Sequence, residues 1–390
     1  MALSKFALTL GDPCGIGPGI AARLAAEASQ NVLDRLIFIG NFRNFQSKFQ
    51  MLNLKQPPVW FCGKLENRSF FPKVTKERAS EIVKGAEREV VVTGVKTGLS
   101  DVANHNHGTH ACDEGGNCQF ATGQTYAETD VENPGKGVFF FDTGENYDFF
   151  PGKICAEAGA AAVTAIEVAH RLCASGKCAG MVNGPIGKKA IRLAGSPFSG
   201  HTDMLCALSR AKLSRMAMVW ENFRVVMTTL HVAWRDVPAM ITLESVYETI
   251  RLAHENFCTS SNPFPKIAIA GLNPHAGEDG LFGDEEDRAI KPAIAKFRNV
   301  NPNLGGPFPA DSMFTGKMRT DWDVFVTHSH DQGLIAIKAL GGLDCVNVTL
   351  GLPYIRTAVG HGTAYDLAAG SDYYAGGLSA AVQCAFQMSA

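Results

Sequence analysis

Apolar residues in this chain cluster in short runs, separated by polar and glycine-rich stretches and alternating with segments of helical period. Phe6-Ala-Leu-Thr-Leu10 predicts a strand, Gly11-Asp-Pro-Cys-Gly-Ile-Gly-Pro-Gly19 a turn, and Ile20 to about Ala28 a helix. Strand, glycine-rich turn and helix form the opening unit of a parallel α/β sheet. Further strands are predicted at Leu36–Gly40, Val59–Cys62, Val90–Thr93 and Ala179–Asn183, then at Met216–Trp220, Val225–Leu230, Lys266–Ala270, Asp323–Thr327 and Val346–Leu350. Helices are predicted at Ile154–Ala174, Met204–Ser209, Leu243–Phe257, Gly333–Leu340 and from about Tyr374. The helix beginning at Ile154 has few polar positions and reads as well buried. The alternation predicts an α/β fold built on a mostly parallel sheet, with no internal repeat.

The pattern breaks down between about 97 and 147, where Gly, Asn, Asp and Thr predominate. A stretch of this length without periodicity is unusual inside a compact domain and reads as an insertion. It carries His105, His107, His110, Cys112 and Cys118. These are zinc-type ligands, but their spacing matches no zinc finger, so structural metal and a polar surface loop both stay open.

Composition narrows the function classes. The chain has 390 residues, enough for two domains, with 46% hydrophobic and 19% charged residues and a formal net charge of −2. That balance makes no electrostatic case for nucleic acid or an acidic membrane. No apolar run reaches the roughly 18 residues of a membrane span, and the N-terminus lacks a secretory pattern. The expectation is a cytoplasmic protein. Most of the eleven cysteines sit singly in apolar or helical patterns, as buried free thiols do.

Three histidines follow apolar strand candidates. They are His231 after Val225–Leu230, His275 in Leu272-Asn-Pro-His-Ala-Gly-Glu278, and His330 after Val324-Phe-Val-Thr327. Ligands of open α/β sheets bind at such strand ends. Three imidazoles there either converge on one divalent ion with positions open to substrate, or are unrelated loop residues. The glycines of Gly11–Gly19 do not fit the dinucleotide fingerprint, leaving a tight connection or direct ligand contact. Ser199-Gly-His-Thr-Asp203 precedes a helical run, and helix starts attract anions; Thr202 is a candidate cap and His201 a donor. Lys338, Asn347 and Arg356 lie on or beside later elements, and an arginine fork suits phosphate.

The chain resembles the 4-hydroxythreonine-4-phosphate dehydrogenase family of pyridoxal phosphate biosynthesis. The matching stretches are Gly11–Pro18, Gly184-Pro-Ile-Gly-Lys188, Gly195–Asp203, Thr228-Thr-Leu-His-Val-Ala-Trp-Arg-Asp-Val-Pro238 and Leu272–Glu278. They continue at Gly306-Pro-Phe-Pro-Ala-Asp311, His330-Asp-Gln-Gly-Leu334, Val346–Pro353 and His361-Gly-Thr-Ala364. The resemblance implies a two-domain α/β/α, isocitrate/isopropylmalate dehydrogenase-like fold and a homodimer with a shared active site. The domains expected are 1–185 with 325–390, and 186–324. It also implies NAD or NADP and a divalent metal (zinc, magnesium or cobalt) held by His231, His275 and His330. Substrate contacts fall on His201, Thr202, Lys338, Asn347 and Arg356. Asp311 and Asp331 are candidates for orienting these groups or moving a proton.

The implied reaction oxidises the 3-hydroxyl of 4-phosphohydroxy-L-threonine, then decarboxylates it to 3-amino-2-oxopropyl phosphate. Three features depart from the family pattern besides the insertion. Gly19 stands where an acidic residue is frequent, Gly360 where aspartate commonly precedes His-Gly-Thr, and His328 is additional. The alternatives are a 4-phospho-threonate or 4-phospho-erythronate dehydrogenase, and an inactive relative that binds metal or ligand.

Overall fold

The computed structural model describes residues 4–66, 125–128, 137–144 and 147–389. The strand expected at Val90–Thr93, and His105, His107, His110, Cys112 and Cys118, lie outside the described residues. The chain divides into two compact units, Met1–Arg210 with Gly362–Ala375, and Ala211–His361 with Gly376–Ala390. These bounds differ from 185 and 324/325. The helix Lys188–Leu193 packs on the helix Ala156–Ala174 of the first unit, whereas the strands after 324 pair with partners in the second.

In the first unit the strands are β1 (Phe6–Thr9), β2 (Leu36–Gly40), β3 (Val59–Glu66), β4 (Thr125–Glu128), β5 (Val138–Asp142) and β6 (Gly180–Asn183). They lie in the order β6-β1-β2-β5-β3-β4. All neighbours are parallel except β3 and β4. Strands buried on both faces read as continuous apolar runs, and every residue of β1, β2 and β6 is buried. The helix Ala156–Ala174 is mostly buried, as its sparse polar positions predict. The turn after β1 is closely packed. Asp12, fully buried, accepts from the Cys14 N–H (2.9 Å) and the Tyr365 hydroxyl (2.6 Å). This agrees with a tight strand-to-helix connection.

In the second unit the strands are β7 (Arg215–Trp220), β8 (Phe223–Met227), β9 (Ile267–Ala270), β10 (Leu304–Phe308), β11 (Val324–Thr327), β12 (Val346–Leu350) and β13 (Ile355–Val359). Their order is β10-β9-β11-β8-β7-β12-β13. The first four are mutually parallel, and the rest add antiparallel neighbours. The sheet is therefore mixed here, because short connections such as Glu221-Asn222 can only return the chain antiparallel.

The helix His330–Gly341 covers this sheet, seating Leu334 and Ile337 among Val225, Met227 and Phe325. Burying each of those two side chains stabilises the fold by about 1.5–3 kcal/mol. Gly333 permits the close approach, since a Cβ there would lie 2.8 Å from Thr327 Oγ1 and 2.9 Å from Val225. The helix begins at His330 rather than near Gly333, which makes His330 its first residue. The described cysteines are free thiols, with Cys14, Cys173, Cys178, Cys206, Cys345 and Cys384 buried and Cys62, Cys155 and Cys258 half-buried.

Candidate active site

Strand order places three predicted histidines along one edge of the second unit. β11 lies between β9 and β8, all parallel, so the residues leaving their carboxyl ends emerge side by side. His231 follows β8, His275 follows β9 and His330 follows β11. The His231 and His330 rings stand 5.3 Å apart, centroid to centroid. His330 Nδ1 lies 2.7 Å from Asp331 Oδ1, which orients the ring and directs Nε2 the other way. His275 is exposed, with its ring 6.3 Å from that of Phe282. Among the described residues, no three His, Cys, Asp or Glu side chains are grouped closely enough to hold a metal ion. The edge thus gathers three imidazoles, those of His231 and His330 already adjacent, without closing them into one set.

The turn that carries His275 has an uncommon backbone. His275, Ala276, Gly277, Glu278 and Asp279 follow one another at φ 52°, 54°, 85°, 44° and 53°. Left-handed geometry costs an L-residue about 1–2 kcal/mol, so a run of five such residues, four of them not glycine, stores appreciable strain. Strain of this kind persists only where surrounding structure imposes it, and it concentrates at functional sites.

Beneath the edge lies a buried polar layer that sequence reasoning missed. His328, fully buried, has Nε2 2.8 Å from the Ala270 carbonyl and Nδ1 3.2 Å from Thr228 Oγ1. A carbonyl only accepts, so Nε2 carries the proton and Nδ1 accepts from the threonine. Burial pushes the imidazole down to about 4, against the opposing pull of the Ala270 hydrogen bond and the Glu286 charge. It is therefore neutral at pH 7, with both nitrogens engaged. Gln332 accepts from the His328 N–H and donates to the Gly271 carbonyl, both at 2.8 Å. The Thr229 hydroxyl donates to the His328 carbonyl at 2.6 Å.

The additional histidine of this chain is thus a strut joining the ends of β8, β11 and β9. His328→Ala would leave the Ala270 carbonyl and Thr228 hydroxyl without this partner, and each buried unpaired group costs about 1–3 kcal/mol. Urea denaturation of that variant is expected to show a loss of about 2–4 kcal/mol. A loss within about 0.5 kcal/mol, as at ordinary surface sites, would contradict the strut.

The anion-binding candidates divide between the units. Asn347 on β12 and Arg356 on β13 come together: Arg356 Nη1 donates to Asn347 Oδ1 and Thr349 Oγ1, each at 3.0 Å. Arg356 is only 3% exposed, so its charge is held by a cross-strand polar cluster. That strand was missed because Leu352-Pro-Tyr-Ile-Arg-Thr357 reads as a loop around its proline. Lys338 is exposed in the last turn of the helix His330–Gly341, where a cation complements the helix dipole.

In the first unit, His201 and Thr202 open the helix His201–Ser209, both half-buried. The cap is not Thr202. Asp203 accepts from the backbone N–H groups of Ser199 and of Gly200 (2.9 Å), because the third helical position reaches back to those donors. Asp311 is exposed in the first turn of the short helix Ala310–Met313.

Two departures have steric explanations. A Cβ at Gly19 would collide with the Tyr373 hydroxyl, and one at Gly360 with the Cys345 carbonyl. At Gly360 the obstacle is backbone and a larger residue is excluded, whereas at Gly19 the Tyr373 side chain would have to move.

Comparison with known proteins bears on the family of the chain. A 4-hydroxythreonine-4-phosphate dehydrogenase of Geobacter metallireducens is 44% identical over 230 residues, covering 59% of this chain and 68% of the relative. The crystal structure of a protein of that name from Klebsiella pneumoniae superposes with a TM-score of 0.73 at 26% identity, covering 99% of this chain and 98% of the other. One from Burkholderia phymatum gives 0.72 at 28% identity, covering 100% and 99%. The family model of the pyridoxal phosphate biosynthetic protein PdxA matches residues 86–385. The Gly11–Pro18 turn precedes that match, but the edge histidines, Asn347 and Arg356 all fall inside it. With well over half of its length matched in this way, the chain belongs to the PdxA family.

Proposed function

We propose that this protein is a metal-dependent NAD(P) dehydrogenase of 4-phosphohydroxy-L-threonine, oxidising its 3-hydroxyl and releasing carbon dioxide to give 3-amino-2-oxopropyl phosphate. The observation that carries the proposal is the placement of His231, His275 and His330 at the carboxyl ends of three adjacent parallel strands, β8, β9 and β11. Family membership and the activity named for the relatives support the substrate. A homodimer with a shared active site and an isocitrate/isopropylmalate dehydrogenase-like two-domain arrangement belong to the same proposal.

The three histidines would hold a divalent ion (zinc, magnesium or cobalt). When bound, the ion supplies positive charge that acidifies a nearby hydroxyl and stabilises negative charge on oxygen, while the nicotinamide accepts hydride. Asp331 keeps His330 in the tautomer that presents Nε2. His328 and Gln332 hold the strand ends in register, so the histidines start from fixed backbone positions. Arg356, set by Asn347 and Thr349, offers a preorganised cation to the substrate phosphate, and Lys338 adds a second charge. His201 and Thr202, at the start of their helix, donate to the same class of anion. Asp311 and Asp331 are the carboxylates for orienting these groups or moving a proton.

The experiment compares NAD(P)H production by metal-loaded enzyme on 4-phosphohydroxy-L-threonine, 4-phospho-threonate and 4-phospho-erythronate. Preference for the first by about tenfold or more in kcat/KM, lost on chelation and restored by divalent ion, is the expected result. Preference for an acid lacking the amino group would replace the substrate and keep the site. Turnover that survives complete metal removal would overturn metal dependence.

A further inference from the structure

The left-handed turn that carries His275 needs an external constraint, and Glu286 is placed to provide it. The side chain is 2% exposed. Its Oε1 accepts the backbone N–H groups of Leu272 (2.8 Å) and Asn273 (2.9 Å), while Oε2 accepts the Asn273 side-chain amide at 2.9 Å. From the other side the carboxylate closes on the turn itself, since a Cβ on Gly277 would lie 2.7 Å from Oε2. Glu286 also opens a turn of π-helix, Glu286–Ile290, a local distortion found disproportionately at functional sites.

We infer that Glu286 is a positioning residue for His275: its buried carboxylate locks the preceding chain so that the left-handed turn, and the imidazole on it, are held in one orientation. This rests on the proposal that His275 is a metal ligand. The chemistry requires a carboxylate. Two backbone N–H groups and one amide N–H converge on it, and all three are donors. An amide of the same shape would turn an NH2 toward at least one of them. Removal of Glu286 would therefore free the turn without removing any ligand, and the effect would reach the metal through the backbone.

The test titrates zinc alone into metal-free wild-type, His275→Ala, Glu286→Gln and Asn273→Ala proteins by calorimetry. Thermal melting and amide hydrogen exchange over residues 272–279 are followed in parallel. Glu286→Gln is expected to weaken zinc by at least about 10-fold, the scale of losses when a ligand's supporting partner is removed. Exchange over 272–279 should be faster. In turnover, kcat should fall while KM for the phosphorylated substrate stays within about twofold, because the phosphate contacts are untouched.

Asn273→Ala removes one of the three donors and is the milder variant should Glu286→Gln not fold; it should shift zinc affinity and exchange in the same direction. Wild-type zinc affinity in folded Glu286→Gln, or in Asn273→Ala when Glu286→Gln does not fold, would overturn the positioning role even if melting temperature dropped. That outcome would leave His275 as a ligand. Wild-type zinc affinity in His275→Ala would overturn the ligand assignment, and the positioning role with it.

Discussion

His275→Ala is expected to reduce kcat/KM by about 10³-fold or more while leaving the fold in place, because a bound ion that polarises oxygen contributes several kcal/mol to the barrier. His275 is exposed, so truncating it creates no cavity and leaves little apolar surface to lose. Alanine already follows it at φ 54°, which shows that this turn accommodates that side chain in left-handed geometry. Stability should therefore stay within about 1 kcal/mol of wild type, as for other exposed substitutions. Steady-state kinetics, metal content and a denaturant curve on one preparation decide it. Near-normal turnover with a full complement of metal would remove His275 from the ligand set. A large drop in stability would attribute the loss to misfolding.

Arg356→Ala is expected to raise KM for the phosphorylated substrate by about 10- to 100-fold, the range set by charge-assisted hydrogen bonds of roughly 1.5–3 kcal/mol. kcat should change less, since binding of a group remote from the reacting carbon is felt in ground and transition states alike. The burial of Arg356 adds a second expectation. Removing the guanidinium takes a donor from Asn347 and Thr349, so stability should fall by about 1–3 kcal/mol. Arg356→Lys separates the two effects. It keeps a charge but not the planar fork, and KM should lie between the other two proteins. An unchanged KM in a folded Arg356→Ala protein would place phosphate recognition elsewhere.

Much of the scaffold was legible because its strands carry short apolar patterns, uninterrupted in Leu36–Gly40 and alternating with polar residues in Val346–Leu350. Leu36–Gly40 and Val346–Leu350 match the observed strands residue for residue, and the helix Leu243–Phe257 has its expected bounds. The three edge histidines could be nominated because each follows such a run. Their side-by-side placement could not, since strand order is not written in local period. β8, β9 and β11 are separated in sequence by long connections, and only pairing shows that β11 lies between the other two.

The supporting layer was illegible for the same reason. His328 meets the Ala270 carbonyl across 58 residues and Thr228 across 100. Glu286 reaches back 14 residues to Leu272, within a glycine-rich stretch that has no hydrophobic period. Local pattern also misjudged two ends. Val225–Leu230 stops at Met227, because Thr228 and Thr229 turn their side chains to the buried polar layer. Thr202 looked like a helix cap, whereas Asp203 performs that task from one residue further on.

The insertion of β11 between β8 and β9 has a consequence for how the molecule is made. Residues 223–227 and 267–270 leave the ribosome long before 324–327, yet they do not pair with each other in the finished sheet. Until the later segment arrives, each keeps an open hydrogen-bonding edge beside wholly buried apolar side chains such as Val226 and Ile269. Such edges pair readily with other chains. The architecture that sets three histidines after adjacent strand ends therefore leaves the nascent polypeptide exposed to intermolecular strand exchange, and protection during synthesis becomes part of the cost of this topology.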